Sequence, residues 1–145
     1  MPLKISGKVD GLDKVSGLFD DVNKNLKNFK EPLKGATNYM LGEVEKNYNS
    51  EGGLLTNKWK KLSPGYAKRK KSGAILVDTG KMKDSFWSRV GKDKAMIGNS
   101  AKYFKYHQSK LPRQKIPRRV MLNIRRKQQT EIYRFFTKFL NKITR

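Results

Sequence analysis

The sequence predicts an α+β fold in which N-terminal helices and a C-terminal amphipathic helix are packed on a small antiparallel β-sheet. Three observations predict it. "SFWSRV" and "KAMIGN" flank the turn "GKD" and read as a hairpin. Before the hairpin, apolar residues recur at steps of three and four. After it, the final 21 residues keep the same period without a break.

The elements follow in order. "LKISGKV" (Leu3–Val9) alternates Leu3, Ile5, Gly7 and Val9, the pattern of a short strand. Leu12, Val15, Leu18, Phe19, Val22, Leu26 and Phe29 then share one helical stripe, with Asp10 as cap and Asp13 adding negative charge to the first turn. Pro32 interrupts that stripe and sits in the first turn of a second helix. The second helix shows Leu33, Ala36, Met40, Val44 and Tyr48 on one face and is stopped by Gly52 and Gly53. "LLTNKWKKLSPGYAKRKKSG" is a loop around Ser63-Pro64-Gly65 with a helical turn over "PGYAKRKK". "DTGKMKDS" and "IGNS" read as turns, since neither matches a phosphate-cradling glycine loop. A short helix covers Ala101–Gln108, and Pro112 and Pro117 keep "LPRQKIPRR" extended. In "RRKQQTEIYRFFTKFLNKITR", Ile132, Phe135, Phe136, Phe139, Leu140 and Ile143 stay in helical register. A chain of 145 residues suits one domain. Its parts are a neutral strand-helix-helix region (1–57), a basic region with hairpin and extended arm (58–123), and the C-terminal helix (124–145).

The charge is divided unevenly. Residues 1–57 carry eight Lys/Arg and eight Asp/Glu, whereas residues 58–145 carry 26 against four, so the whole net charge of +22 belongs to the second part. Such a field attracts a polyanion: nucleic acid, an acidic protein surface or anionic lipid. The absence of cysteine removes disulfides, thiolate metal sites and thiol nucleophiles. A zinc site on the single histidine would need several converging carboxylates, and the basic part supplies few. The longest apolar run, Ala74–Val77, falls far short of a membrane span, and "MPLKISGKVDG" lacks the apolar core of a signal peptide. The expectation is a soluble chain that stays in the cytoplasm unless it leaves within a particle.

His107 has no partner in a recognisable triad or metal spacing, because the second part holds only Asp78, Asp84, Asp93 and Glu131. A packed or surface side chain is the commoner role for such a residue, and no catalytic, metal or cofactor site is expected. The basic stretches place Lys68, Arg69, Lys70, Lys71, Arg113, Lys115, Arg118, Arg125 and Arg126 as candidates for contact with DNA or an acidic partner. Trp59, Tyr66, Tyr103 and Tyr106 lie among or near them and could stack bases. With no helix-turn-helix, zinc-finger or RNA-recognition signature, contact with double-stranded DNA would be to the backbone and blind to sequence. The aromatic C-terminal stripe could enter a membrane interface, but packing is the commoner explanation and no membrane partner is expected.

Read in order, "NKWKKLSPGYAKRKKSGAILVDTGKMKDSF", "KAMIGNSAKYFKYHQ" and "KIPRRVML" resemble the phage virion morphogenesis family, the tail completion proteins of long-tailed phages. The resemblance covers residues 55–123 and rests on Trp59, Leu62, Ser63, Lys70, Ile75, Leu76, Thr79, Gly80, Ser85, Ile97, Gly98, Tyr103, His107, Gln108, Ile116, Pro117, Arg119 and Leu122. Ser109 and Lys110 stand where the family usually has an aromatic residue and a glycine, and Arg118 where it has a small one.

The resemblance implies a structural virion protein without enzymatic activity. It would complete the tail and join it to the DNA-filled head as a ring in the neck region, hexameric by analogy with six-fold tail symmetry. Its partners would be head connector or portal-side proteins and the tail terminator or tail tube. Trp59, Ser63, Thr79, Gly80, Tyr103, His107, Gln108, Pro117 and Arg119 are then expected at subunit or partner interfaces. Arg119 would fork onto a neighbour, and His107 and Gln108 would set the exit angle of the arm. Most of the positive charge is expected on ring faces or near a parked DNA end rather than along a bore, where strong phosphate contacts would slow DNA ejection. A sequence-independent nucleic-acid-binding protein acting through the basic half is the alternative.

Overall fold

A computed structural model describes residues 3–6, 26–110 and 115–144. Of the predicted first helix, Asp10 to Phe29, residues 10–25 lie outside the described residues, as do Pro112 and Arg113, and its last residues, Asn28 and Phe29, are not helical.

The first long helix, α1 (Lys30–Asn49), takes its position from a single buried stripe: Leu33, Ala36, Met40, Val44 and Tyr48. Pro32 stands in the first turn, where its missing N–H costs no helical bond. The Phe29 N–H, just ahead of the helix, donates to Lys92 O at 2.7 Å, which ties the helix start to the hairpin turn. At the other end Glu51 and Gly52 take positive φ (50° and 90°), and Gly52 N–H returns to Asn47 O at 2.9 Å. Gly52 also lies flat against the Trp59 indole: a Cβ there would stand 2.4 Å from the ring.

The predicted hairpin is present as β2 (Phe86–Val90) and β3 (Lys94–Asn99), closed by the Gly91 N–H to Lys94 O bond of 2.8 Å. β1 (Leu3–Ser6) pairs antiparallel with β3, giving a three-stranded sheet of order β1-β3-β2. Leu3 stands opposite Ile97, and Trp87 opposite Gly98. The described part of the expected strand Leu3–Val9 is all strand, and Gly7 to Val9 lie outside the described residues. On β3, Ala95 and Ile97 alternate inward to the core.

Three short helices carry the turns. They are α2 (Pro64–Arg69), α3 (Lys81–Asp84), and α4 (Phe104–Gln108), the last starting three residues later than its sequence suggests. The C-terminal helix α5 (Arg126–Ile143) matches its prediction and buries Ile132, Phe136 and Phe139. Its principal partner is α1, which in turn lies on β2 and β3. Gly35 permits the close helix approach, since a Cβ there would fall 2.6 Å from the Phe135 ring. A run of edge-to-face rings then links the layers: Trp59 on Tyr48 (5.4 Å), Tyr48 on Phe86 (6.3 Å) and Phe86 on Phe104 (5.6 Å). The α+β class is as predicted.

Candidate functional site

Residues 115–124 form an extended arm without a sheet partner among the described residues. Its backbone groups are instead met by side chains. Gln108 Oε1 accepts from the N–H groups of Met121 (2.9 Å) and Leu122 (3.1 Å), while its Nε2 donates to Leu122 O at 2.6 Å. Trp59 Nε1 donates to Val120 O at 2.9 Å, and Asn47 Nδ2 to Met121 O at 3.2 Å. Asn47 Oδ1 accepts from Leu55 N–H at 2.9 Å, so one buried amide fastens both the arm and the loop after α1. Tyr48 adds a hydroxyl contact to Met121 Sδ at 2.9 Å. Unpaired backbone groups are costly to bury, and these side chains replace a missing strand.

Arg119 completes the clamp. Its Nε and Nη2 donate to Lys60 O at 2.9 and 2.8 Å, and its own N–H donates to His107 O at 3.1 Å. The fork expected to reach a neighbouring subunit is thus engaged inside its own chain, because the loop carbonyl at Lys60 lies within reach of the buried guanidinium. Gln108 and Trp59, also expected at an interface, do their hydrogen bonding inside the chain as well.

The clamped arm forms one wall of a groove of about 1210 Å³. The arm contributes Lys115, Ile116, Pro117 and Arg119; α4 and the residue before it contribute His107 and Tyr103. The opposite walls come from Leu62, Ser63, Tyr66, Arg69 and Lys70 around α2, and from Leu76, Asp78, Thr79, Gly80 and Met82 leading into α3. Motif residues from three separate stretches of sequence therefore meet in one place. Ser63, Thr79, Gly80, Tyr103, His107, Pro117 and Arg119 from the expected interface set all line it, as do Arg69, Lys70 and Lys115 from the expected contact set. Lys68, Lys71, Arg118, Arg125 and Arg126 are exposed outside it. Arg118 Nε bonds Gln108 O at 3.2 Å, and Arg125 is the N-cap residue of α5.

The local backbone explains the shape. Ser63 in extended conformation and Pro64 start α2. Gly80 has φ 82° at the N-cap of α3, a conformation that favours glycine. Leu76 has φ 61°, costly for a residue with a side chain, and it packs partly against the core within the groove wall.

The electrostatics are one-sided. Among the described residues, Lys60, Lys61, Arg69, Lys70, Lys81, Lys115 and Arg119 line the groove against a single carboxylate, Asp78. Burial holds the Lys70 ammonium below the usual lysine value; Asp78 opposes this and Arg119 adds to it. Burial likewise lowers Arg119, against an opposing effect of Tyr66. Lys70 Nζ donates to Ala74 O. Exposed Tyr66, Tyr103 and Ile116 add apolar surface. The chemistry suits holding an anionic, partly apolar segment.

Sequence reading missed Asn47, Lys60, Lys81 and Asn123, whose Nδ2 donates from the arm to Leu55 O at 2.9 Å. Asn47 carried a usable signal: a polar residue three positions after Val44, on the apolar stripe, has to be satisfied by something buried. Lys60 acts through its carbonyl, which no side-chain pattern reveals.

Fold and groove together define an α+β protein with one basic, partly apolar cleft. The chain belongs to the phage virion morphogenesis family, whose model matches residues 10–141. It is therefore a protein of phage virion assembly. No curated protein and no solved structure matches it significantly. Among the described residues, no helix is long and apolar enough to cross a membrane.

Proposed function

We propose that this protein completes the phage tail and joins it to the DNA-filled head, assembling as a ring at the head–tail interface. The observation that carries this reading is the family match over residues 10–141. The groove supports it, because most of the proposed interface residues line one cleft suited to contact rather than remaining scattered. The charge supports it too. A chain of net charge +22 repels itself in isolation, and acidic neighbours above and below a ring relieve that repulsion. The ring is hexameric, matching the tail axis, and most basic residues face neighbouring rings or a parked DNA end.

The test is a phage carrying a nonsense mutation in this gene, examined by electron microscopy with and without the protein supplied in trans. Separate filled heads and unjoined tails, restored to infectious particles by the protein, are expected. Joined, infectious virions in its absence overturn the reading.

Exposed Tyr66, Tyr103 and Tyr106, with Lys105 stacked on Tyr106 at 5.2 Å, favour sequence-independent nucleic-acid binding as the second reading. A monomer that binds short duplex DNA with steep salt dependence, and forms no ring on tails, would select it.

A further inference from the structure

The groove contains a buried cation that forms no ion pair among the described residues. Arg119 is 6% exposed, and among the described residues its guanidinium donates to backbone carbonyls: Lys60 O, with Lys61 O at 3.5 Å. Among the described residues, none of the ion pairs includes it. Lys70 shares the groove, and aliphatic Leu62, Leu76, Met82 and Ile116 line it too. A buried guanidinium amid apolar side chains is poorly stabilised by carbonyls alone, and it is best satisfied by a carboxylate that brings its own apolar surroundings.

We propose that the groove binds an extended segment of a different protein in which acidic residues alternate with aliphatic ones. A carboxylate meets Arg119 and Lys70, and the intervening aliphatic side chains rest on Leu62, Leu76 and Ile116. Alternation follows from the period of an extended chain, which turns successive side chains to opposite sides.

Charge complementarity selects the occupant. A second copy of this chain brings 34 basic residues against 12 acidic ones, with the whole excess in the part that forms the groove, so like would meet like. Duplex DNA carries its phosphates on a convex surface that does not reach into a cleft. Single strands bind by stacking, yet Leu62, Leu76, Met82, Ile116 and Pro117 outnumber Tyr66 and Tyr103 in the lining. The inference deepens the assembly reading by naming the chemistry of the partner, and it is tested without phage.

The full-length protein is used to select from a random peptide library, and the recovered peptides are measured by fluorescence anisotropy. Lys81→Glu and Ile116→Ser alter the groove; Lys138→Glu makes the same charge change on the exposed face of α5. Circular dichroism and melting curves confirm that each variant folds. Enrichment of peptides alternating Asp/Glu with Leu, Ile or Met is expected, with affinity falling about tenfold in each groove variant and less than about twofold in Lys138→Glu. Failure to enrich any peptide, peptides without acids, or equal weakening by Lys138→Glu overturns the proposal. So does displacement of the peptides by single-stranded DNA at a salt concentration where they otherwise stay bound. Failure here while phage still require the protein for joining removes the groove inference alone. Success here with joined, infectious phage lacking the protein removes the assembly reading alone.

Discussion

Gln128 Nε2 donates to Glu43 Oε2 at 2.9 Å across the seam between α1 and α5, with both side chains buried. The same glutamine accepts the Arg125 N–H at 3.2 Å, so one side chain caps α5 and fastens it to α1. Lys46 Nζ holds the other carboxylate oxygen at 3.0 Å. Burial opposes the charge on Glu43, but the bonds from Gln128 and Lys46 outweigh it and hold the carboxyl below its usual value.

This pair makes stability depend on acid. A folded value below the unfolded one means that the contribution is complete above the usual glutamate range and is lost as pH falls through the depressed folded value. Urea unfolding of the wild type should therefore weaken on the acid side, and Glu43→Gln should flatten that part of the profile. Gln128→Leu should cost about 2 kcal/mol near neutrality, because it leaves a buried carboxylate short of a donor. An unchanged acid profile in Glu43→Gln would show that other carboxyls govern it.

Gly52→Ala should destabilise by about 2 kcal/mol or more, because it combines a positive φ with a Cβ 2.4 Å from the Trp59 indole. Gly53, with no positive φ and its nearest neighbour atom at 3.3 Å, should tolerate alanine better. Thermal melts of the two variants test the difference.

Gln108→Leu removes three hydrogen bonds to the arm and should expose the Met121 and Leu122 amides. Native-state hydrogen exchange should show those two amides losing protection by about 2 kcal/mol or more, with α5 little changed. Equal loss across both regions would mean that the arm and α5 open together.

Arg119→Lys keeps the charge and loses the fork on Lys60 O. A loss of about 1–3 kcal/mol is expected. Arg119→Met should bind acidic peptides more weakly than Arg119→Lys at matched folding, since the lysine still offers a cation to the groove.

The elements were legible wherever one period ran unbroken. Leu33 to Tyr48 and Ile132 to Phe139 announce helices because burial on one face needs that spacing. The hairpin was legible from its turn and alternating strands. The site was legible in part. The motif picked out Tyr103, His107, Pro117 and Arg119, and the structure brings them to one groove. Their direction was not legible, because Arg119 and Gln108 satisfy carbonyls and amides that any residue type supplies. Lys60 escaped notice, and Asp78 was weighed only as a partner for His107, for the same reason: their importance comes from position, and tertiary packing alone creates it.

The closure of the arm on α4 has a practical consequence. Arg119 N–H to His107 O and Arg118 Nε to Gln108 O hold the start of the arm against the end of α4. The entropy of closing a loop grows slowly with length, about 0.6 kcal/mol for each doubling. An epitope or metal-binding tag spliced directly after exposed Lys110 is therefore expected to leave those two bonds in place and to give microscopists a visible marker. Counting such markers around a particle axis would report how many copies it carries and at which level they sit.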